Sequence, residues 1–393
     1  MMRSSSLARR LSRQSLSSLA IPLAFGASVV HAQSNVTLYG SIDASLNYVS
    51  NQNGAHSYQA QNGMINGTRW GMKGTEDLGG GTSAIFQLEN GFNLFNGKQG
   101  QGAREFGRQA WLGLKDNQFG SLTLGRQYDP TIWYLAVHTG GFTGGTAFAH
   151  PFDNDNMGNS FRIDNSVMYT SPSWNGLSMR TMYAFSNQAG AATATANRAY
   201  SAGVGYDNGP LSLGAAFIVI NNVGANAGGA VDGSSNSGDS TFVAGKQSVF
   251  GFGGSYIWGK GTYGATWTRT LVSNGSSVNL FGYKPMGDAS LRMDNFDVNV
   301  TYNAATNITL IGSYAFTMGR YESATTSASP KWHQVNLQAA YYFSKRTDVY
   351  IDAVYQHVIG GTGTPFANAI LCGYAQSSTP TQIVVGLGMR HRF

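Results

Sequence analysis

The chain ends Thr381-Gln-Ile-Val-Val-Gly-Leu-Gly-Met-Arg-His-Arg-Phe393, with Ile383, Val385, Leu387 and Met389 on one parity and Gln382, Gly386, Gly388 and Arg390 on the other. An alternation of this kind over roughly ten residues suits a strand with one face in lipid and the other in water. A last aromatic residue suits a bilayer interface, where a ring sits at headgroup depth. Beyond the N-terminal segment no apolar run reaches the roughly 20 residues of a membrane helix, so a membrane-spanning reading of this chain requires strands. Backbone amides and carbonyls in lipid must pair within the protein, and strands do so only by closing into a barrel.

The N-terminus is compatible with export. Residues 1–32 read as a secretory signal, with Arg3, Arg9, Arg10 and Arg13 as a basic start, a mostly apolar stretch, and Val30-His31-Ala32 at the cleavage position. Cleavage leaves a mature domain at 33–393. It removes four of the 25 basic residues and none of the 19 acidic ones, which lowers the formal net charge from +6 to +2. Nucleic-acid binding thereby loses its electrostatic support. Charged residues are 11% of the chain, against about 25% in soluble domains, while Gly, Tyr and Phe number 52, 20 and 21. Strands that are half lipid-facing and half polar reconcile few charges with few long apolar runs. The single Cys372 excludes an intramolecular disulfide framework.

Alternating segments recur along the chain. Strands are expected at 36–49, 68–76, 83–92, 105–115, 121–127, 161–171, 177–186 and 198–207, then at 211–220, 247–258, 262–271, 293–302, 308–318, 332–343, 348–358 and 381–393. Their number, sixteen, is even, as in bacterial single-chain barrels. Short Gly/Asn/Asp/Ser/Pro turns, such as 78–81, 116–120 and 344–347, alternate with long connections, such as 51–67, 221–246 and 319–331. Short turns at the periplasmic rim and long external loops produce that alternation in a transmembrane β-barrel; a soluble β-sandwich or β-solenoid is the competing arrangement.

A set of blocks in consecutive strands carries a family resemblance: Val36-Thr-Leu-Tyr-Gly-Ser-Ile-Asp43, Arg69-Trp-Gly-Met-Lys-Gly-Thr-Glu-Asp-Leu-Gly-Gly-Gly81, Phe86-Gln-Leu-Glu-Asn-Gly-Phe92, Phe106-Gly-Arg-Gln-Ala-Trp-Leu-Gly-Leu114 and Leu122-Thr-Leu-Gly-Arg-Gln-Tyr128. With the ending Arg390-His-Arg-Phe393, they resemble the Gram-negative general porins, in the branch of β-proteobacterial outer-membrane porins. The resemblance implies an all-β, 16-stranded antiparallel barrel, a homotrimer in the Gram-negative outer membrane, and a third external loop folded inward. It also implies that Phe393 is the signal read by the barrel-assembly machinery.

The longest connection of the first half, 128–160, is the candidate constriction loop, carrying Asp129, Asp153 and Asp155; connections beyond about 15 residues are usually functional. Strand parity selects its opposite wall. With Trp70 and Met72 facing lipid, Arg69 and Lys73 face the lumen; Trp111 outward leaves Arg108 inward; Val167 and Tyr169 outward leave Arg162, Asp164 and Ser166 inward; and Met179, Tyr183 and Phe185 outward leave Arg180 inward. Arg69, Arg108 and Arg162 also stand where the resemblance implies the arginine cluster of a constriction. Arg126 shares parity with Leu122 and Leu124 and points away from this pore, toward a subunit interface.

Arginines facing loop carboxylates would set a transverse field in a narrow gap. The expected function is passive diffusion of small hydrophilic solutes and ions, with a weak anion preference. A substrate-specific channel for sugars or organic anions, favoured by Trp133 and Tyr134 in the loop, is the alternative, and a plugged structural or adhesive barrel is a further one. No enzyme signature stands out: the histidines are scattered and no Ser or Cys sits on a nucleophile elbow. Asp153-Asn-Asp-Asn-Met-Gly158 lacks the later bidentate Glu of a calcium loop, so neither metal nor cofactor is expected.

Overall fold

The computed structural model describes residues 35–190, 196–225, 228–233, 239–280 and 282–393. The signal segment expected at 1–32 lies outside the described residues. Sixteen strands build the wall: β1 (Asn35–Gln52), β2 (Arg69–Gly79), β3 (Thr82–Gly91), β4 (Gln109–Asp116), β5 (Gly120–Gln127), β6 (Ile163–Thr170), β7 (Leu177–Ala184) and β8 (Arg198–Asn208) in the first half. The second half is β9 (Leu211–Asn221), β10 (Phe242–Trp258), β11 (Gly261–Val278), β12 (Lys284–Ala305), β13 (Ile308–Glu322), β14 (Lys331–Tyr342), β15 (Thr347–Ile359) and β16 (Thr381–Arg392). Two further segments, Ala55–Asn62 and Ser327–Ala328, extend hairpins above the wall. Each wall strand pairs antiparallel with its sequence neighbours, and β16 returns to β1 from Ser41↔Arg392 to Val49↔Val384. The closed barrel leaves no unpaired wall edge, which is the condition for strands in lipid.

The alternation read from the sequence is the alternation of the wall. In β16, Ile383, Val385, Leu387 and Met389 are exposed, while Val384 and Arg390 are buried on the inner parity. In β12 and β14, exposed Phe296, Val298, Val335 and Leu337 alternate with buried Asn295, Asp297, Gln334 and Asn336. A polar inner face and an apolar outer face define the solvent on each side. Phe393 closes the seam: its backbone exchanges hydrogen bonds of 3.0 and 3.1 Å with Gly40. Its ring lies where a Cβ on residue 40 would stand, so glycine is required there.

The first hairpin departs from expectation. The 51–67 segment is not a long loop; the strands turn tightly at Asn53 and Gly54, both left-handed at φ 51° and 102°, as a two-residue hairpin turn demands. Ala55–Asn62 then descends alongside β1, and residues 63–68 leave the wall before β2 resumes the pairing at Ser41↔Arg69. This inward excursion is held by the Asp43 carboxylate, which accepts the Ile65 and Asn66 amides at 3.0 and 2.7 Å.

The barrel is not a hollow tube. The chain between β5 and β6 lies against the inner parity of β7 to β14, and the connection between β15 and β16 also tucks in, burying Phe366, Ile370, Leu371 and Tyr374. Five-residue helix α1 (Pro130–Tyr134) begins at an Asp129 N-cap whose carboxylate accepts the Thr131 amide at 2.9 Å. The Tyr134 ring rests on Gly203 and Gly205, where a Cβ would come within about 2.6 Å of its carbons. Helix α2 (Gly140–Gly144) is held at both ends by the wall, with Gly140 N donating to Asp297 at 3.0 Å and Gln338 donating to Gly144 O at 3.0 Å.

Candidate pore constriction

The inward segment, the 63–68 excursion and the ends of β3 to β6 enclose a void of about 580 Å³. The charged side chains bordering it, among the described residues, are Arg69, Arg108, Arg162 and Glu89. Strand ends bring them together: Glu89 lies two residues before the end of β3, Arg108 immediately precedes β4, Tyr128 follows β5 and Arg162 immediately precedes β6.

Their contacts are specific. Arg108 Nε donates to Glu89 Oε1 at 2.7 Å, and its Nη2 donates to the Tyr128 hydroxyl at 3.0 Å. Arg162 Nη2 donates to the same hydroxyl at 2.6 Å and its Nη1 to Ser160 O at 3.1 Å. Two guanidiniums thus share one phenol oxygen. Burial alone would raise the Tyr128 phenol, but Arg108 and Arg162 outweigh it and hold it below its ordinary value. Burial, with Arg108 and Arg126 nearby, pulls Arg162 down to about 10, so it remains charged at neutral pH. Arg69 is the loosest member, 3.9 Å from Glu89 with its side chain 28% exposed.

Other expected residues stand elsewhere. Lys73 keeps the lumen parity of Arg69 but lies nearer the short-turn rim, its Nζ 5.5 Å from the Tyr39 ring centroid. Arg180 stacks on Trp133 of α1, 4.0 Å from the ring centroid. Asp164 does not face Arg162. The β5–β6 pairing slips between Gly125 and Gln127, and left-handed Asn165 (φ 53°) marks the bulge; one extra residue reverses the side-chain faces beyond it. Asp164 therefore pairs with Arg126 at 2.6 Å, and Asp239 completes the clamp on Arg126 at 2.5 Å. The cap on Arg126 comes from this chain's own connection between β9 and β10.

The loop acids are the main correction. Asp129, Asp153 and Asp155 are at most 1% exposed, border none of the void, and bind the loop itself. Asp153 accepts the Gly158 and Ser160 amides at 2.7 and 3.0 Å. Asp155 accepts from His150 Nδ1 at 2.8 Å, from Asn295 at 3.2 Å and from Thr268 Oγ1. Burial opposes the charge on His150, but Asp155 and then Asp297 raise it to about 10. The same pairing overcomes burial to hold Asp155 low, while burial and Asp155 push Asp153 up to about 6. Asp155 thus fastens the loop to the wall while Asp129 and Asp153 brace it from within, and the acid facing the arginines is Glu89, on the wall itself. Parity could have found Glu89, since Gln87 and Glu89 alternate with outward Phe86 and Leu88 in β3. Tyr128 carries no such signal, because its position depends on where the wall ends.

A closed 16-stranded barrel with an apolar exterior, a polar interior and a charged narrowing is a membrane channel in architecture. The model of the Gram-negative porin family matches residues 17–358, and the chain belongs to that family. An outer membrane porin protein of Bordetella pertussis is 30% identical over 414 aligned residues, covering 94% of this chain and 97% of that one. Outer membrane porin protein 32 of Delftia acidovorans is 28% identical, covering 97% and 100%. Among solved structures, an anion-selective porin from Comamonas acidovorans superposes with a TM-score of 0.71 at 22% identity, over 92% of this chain and all of that one. A trimer form of the Vibrio cholerae outer membrane protein OmpT gives 0.64 at 17% identity, over 92% and 99%. The protein is a multi-pass barrel of the Gram-negative outer membrane, from a family of channels rather than enzymes.

Proposed function

We propose that the barrel is a passive diffusion pore for small hydrophilic solutes and ions, without catalytic activity, and that it weakly prefers anions. The observation that carries the preference is the charge bordering the void: among the described residues, Arg69, Arg108 and Arg162 against Glu89 alone. A positive excess in a gap walled by protein acts through an effective dielectric below that of bulk water, which attracts anions and repels cations. The excess is modest because Glu89 neutralises much of Arg108 at 2.7 Å, so the selectivity is weak. Lys73 and Arg180 extend the positive wall toward the short-turn rim. Planar-bilayer recording in a potassium chloride gradient tests this: a stable ohmic conductance with an anion-directed zero-current potential is expected, and a cation-directed potential contradicts it. A structural or adhesive barrel predicts no stable conductance.

The same reading includes a homotrimer. Strands β4 to β7 are eight residues each, against 15 to 22 in β10 to β13. Eight residues fall just short of the roughly 9–11 needed to cross a bilayer. Leu112, Leu114, Leu122 and Leu124 are exposed on that short side, which suits cover by neighbouring barrels. Heat-dependent migration of a trimer-sized band is the check; a monomer-sized band before heating contradicts the trimer.

A further inference from the structure

The void is two-sided in chemistry. Arg69 and Arg108 border it on the wall, while the inward segment presents Trp133, Val137 and Phe142 to the same space. Trp133 is 42% and Phe142 45% exposed, although both project from a segment enclosed by the polar inner face. Indole and phenyl surfaces left open to an aqueous lumen mark a place where apolar matter is met. Trp133 is also fixed in place, because the Arg180 guanidinium stacks on it and Tyr134 beside it is seated on Gly203 and Gly205. The void is of the size of small-molecule sites, which run from about 300 to 1,000 Å³.

We propose that this narrowing is a weak binding site for aromatic monocarboxylates, solutes of the benzoate class. The carboxylate meets Arg69, whose guanidinium stands 3.9 Å from Glu89 and stays partly exposed, whereas Arg108 is already engaged by Glu89 and Tyr128. The ring lies along Trp133 and Phe142, where a small aliphatic acid of equal charge gains little. The barrel therefore passes aromatic anions better than their size predicts, because contact with the loop offsets the loss of water in the gap. This inference rests on the anion-preferring reading of the arginines and adds a solute class to it.

The test uses the assembled barrel in planar bilayers at pH 7, with potassium chloride on one side and potassium acetate or potassium benzoate on the other. Zero-current potentials give the permeability of each organic anion relative to chloride. Benzoate is expected to equal or exceed acetate despite its greater size. Replacing Trp133 and Phe142 by alanine is expected to lower the benzoate-to-acetate ratio roughly two- to tenfold, the scale of one or two lost ring contacts. Trp133→Leu serves if the double variant does not assemble, since it keeps apolar bulk and removes the ring. Benzoate well below acetate in the natural protein overturns the proposal, and so does a ratio that the substitutions leave unchanged. The potassium chloride gradient measurement separates the two readings: a cation-directed potential there removes the anion preference itself, whereas an anion-directed potential with poor benzoate passage removes the aromatic site alone.

Discussion

Replacing His150 by glutamine tests how the inward segment is fastened. His150 is 1% exposed; its Nδ1 lies 2.8 Å from Asp155, and its Nε2 lies 3.7 Å from Asp297. Asp153 accompanies them, so the substitution removes the cation among three buried acids. Breaking a buried ion pair by removing one partner costs about 3–5 kcal/mol. The loop keeps other anchors, including Gln334 to Ala147 O at 3.1 Å, Thr270 to Asn154 O at 3.2 Å and Gln247 to Asn154 O at 3.3 Å, each worth about 1 kcal/mol. The variant should therefore assemble and conduct, with a loop that opens far more often and single-channel current that flickers between levels. The dependence on pH has a definite sign. His150 is raised to about 10, so its contribution is full below its unfolded value near 6.5 and disappears as pH rises through about 10. Asp155 is held low, so its contribution is present above its unfolded value near 3.9 and disappears as pH falls through its folded value. Asp153, raised to about 6, opposes them, because ionising it costs stability that protonation restores. The natural channel is accordingly quietest near pH 4, somewhat noisier once Asp153 ionises above about 6, and noisiest above pH 10. A His150→Gln channel as quiet as the natural one at every pH would refute this account of the anchor.

Gly214→Val should place a side chain where Tyr134 O now sits against the wall, push α1 toward the pore axis and lower single-channel conductance; an unchanged conductance would show that α1 does not narrow the path. Deleting Phe393 removes the two hydrogen bonds and the ring that seal residue 40. The yield of heat-modifiable barrel in the outer membrane should fall severalfold, while those pores that form keep their conductance, as quantitative gels and bilayer recordings would report. Asp155→Asn should leave ion selectivity nearly unchanged in the chloride-gradient potential, because that carboxylate borders none of the void; a large anion-directed shift would restore the loop acids to the pore.

Much of the wall was legible because a barrel strand repeats one physical rule. Ile383 to Met389 face outward for the same reason that Phe296, Val298, Val335 and Leu337 do, and Arg69 could be assigned to the lumen from its apolar neighbours alone. Parity misplaced Trp111, which faces inward opposite Gln87 and beside Gln109, so Arg108, like Arg162 beyond the bulge, reaches the void from the residue just before its strand and not by strand alternation. The Asn53-Gly54 turn also had a local signature, but it lay within a polar Gly/Asn/Gln stretch that resembles a loop. The remainder depended on distant partners. Asp155 is buried because Thr268 and Asn295, more than a hundred residues further on, offer it hydrogen bonds; sequence shows its charge and not its surroundings. Asp164 was misassigned because a bulge at Asn165 changes parity without changing the hydrophobic pattern nearby. Trp133 was legible as a loop aromatic that could meet a solute, whereas Phe142 carried no such signal, and only the closed barrel leaves both bordering the void.

The central claim is that Arg69 and its fellow arginines, opposed by Glu89 on the same wall, set the ion preference. One measurement tests it directly: the zero-current potential of the natural protein, Arg69→Gln and Glu89→Gln in the same tenfold gradient of dilute potassium chloride. A unit charge about 6 Å from a permeating ion is worth about 0.7 kcal/mol in bulk water and about 2.8 kcal/mol at an effective dielectric of 20. Each substitution should therefore move the anion-to-cation permeability ratio at least about threefold, downward for Arg69→Gln and upward for Glu89→Gln, with both shifts shrinking near 1 M salt, where the screening length is only about 3 Å. Shifts of the same sign, or none at low salt, would contradict the account.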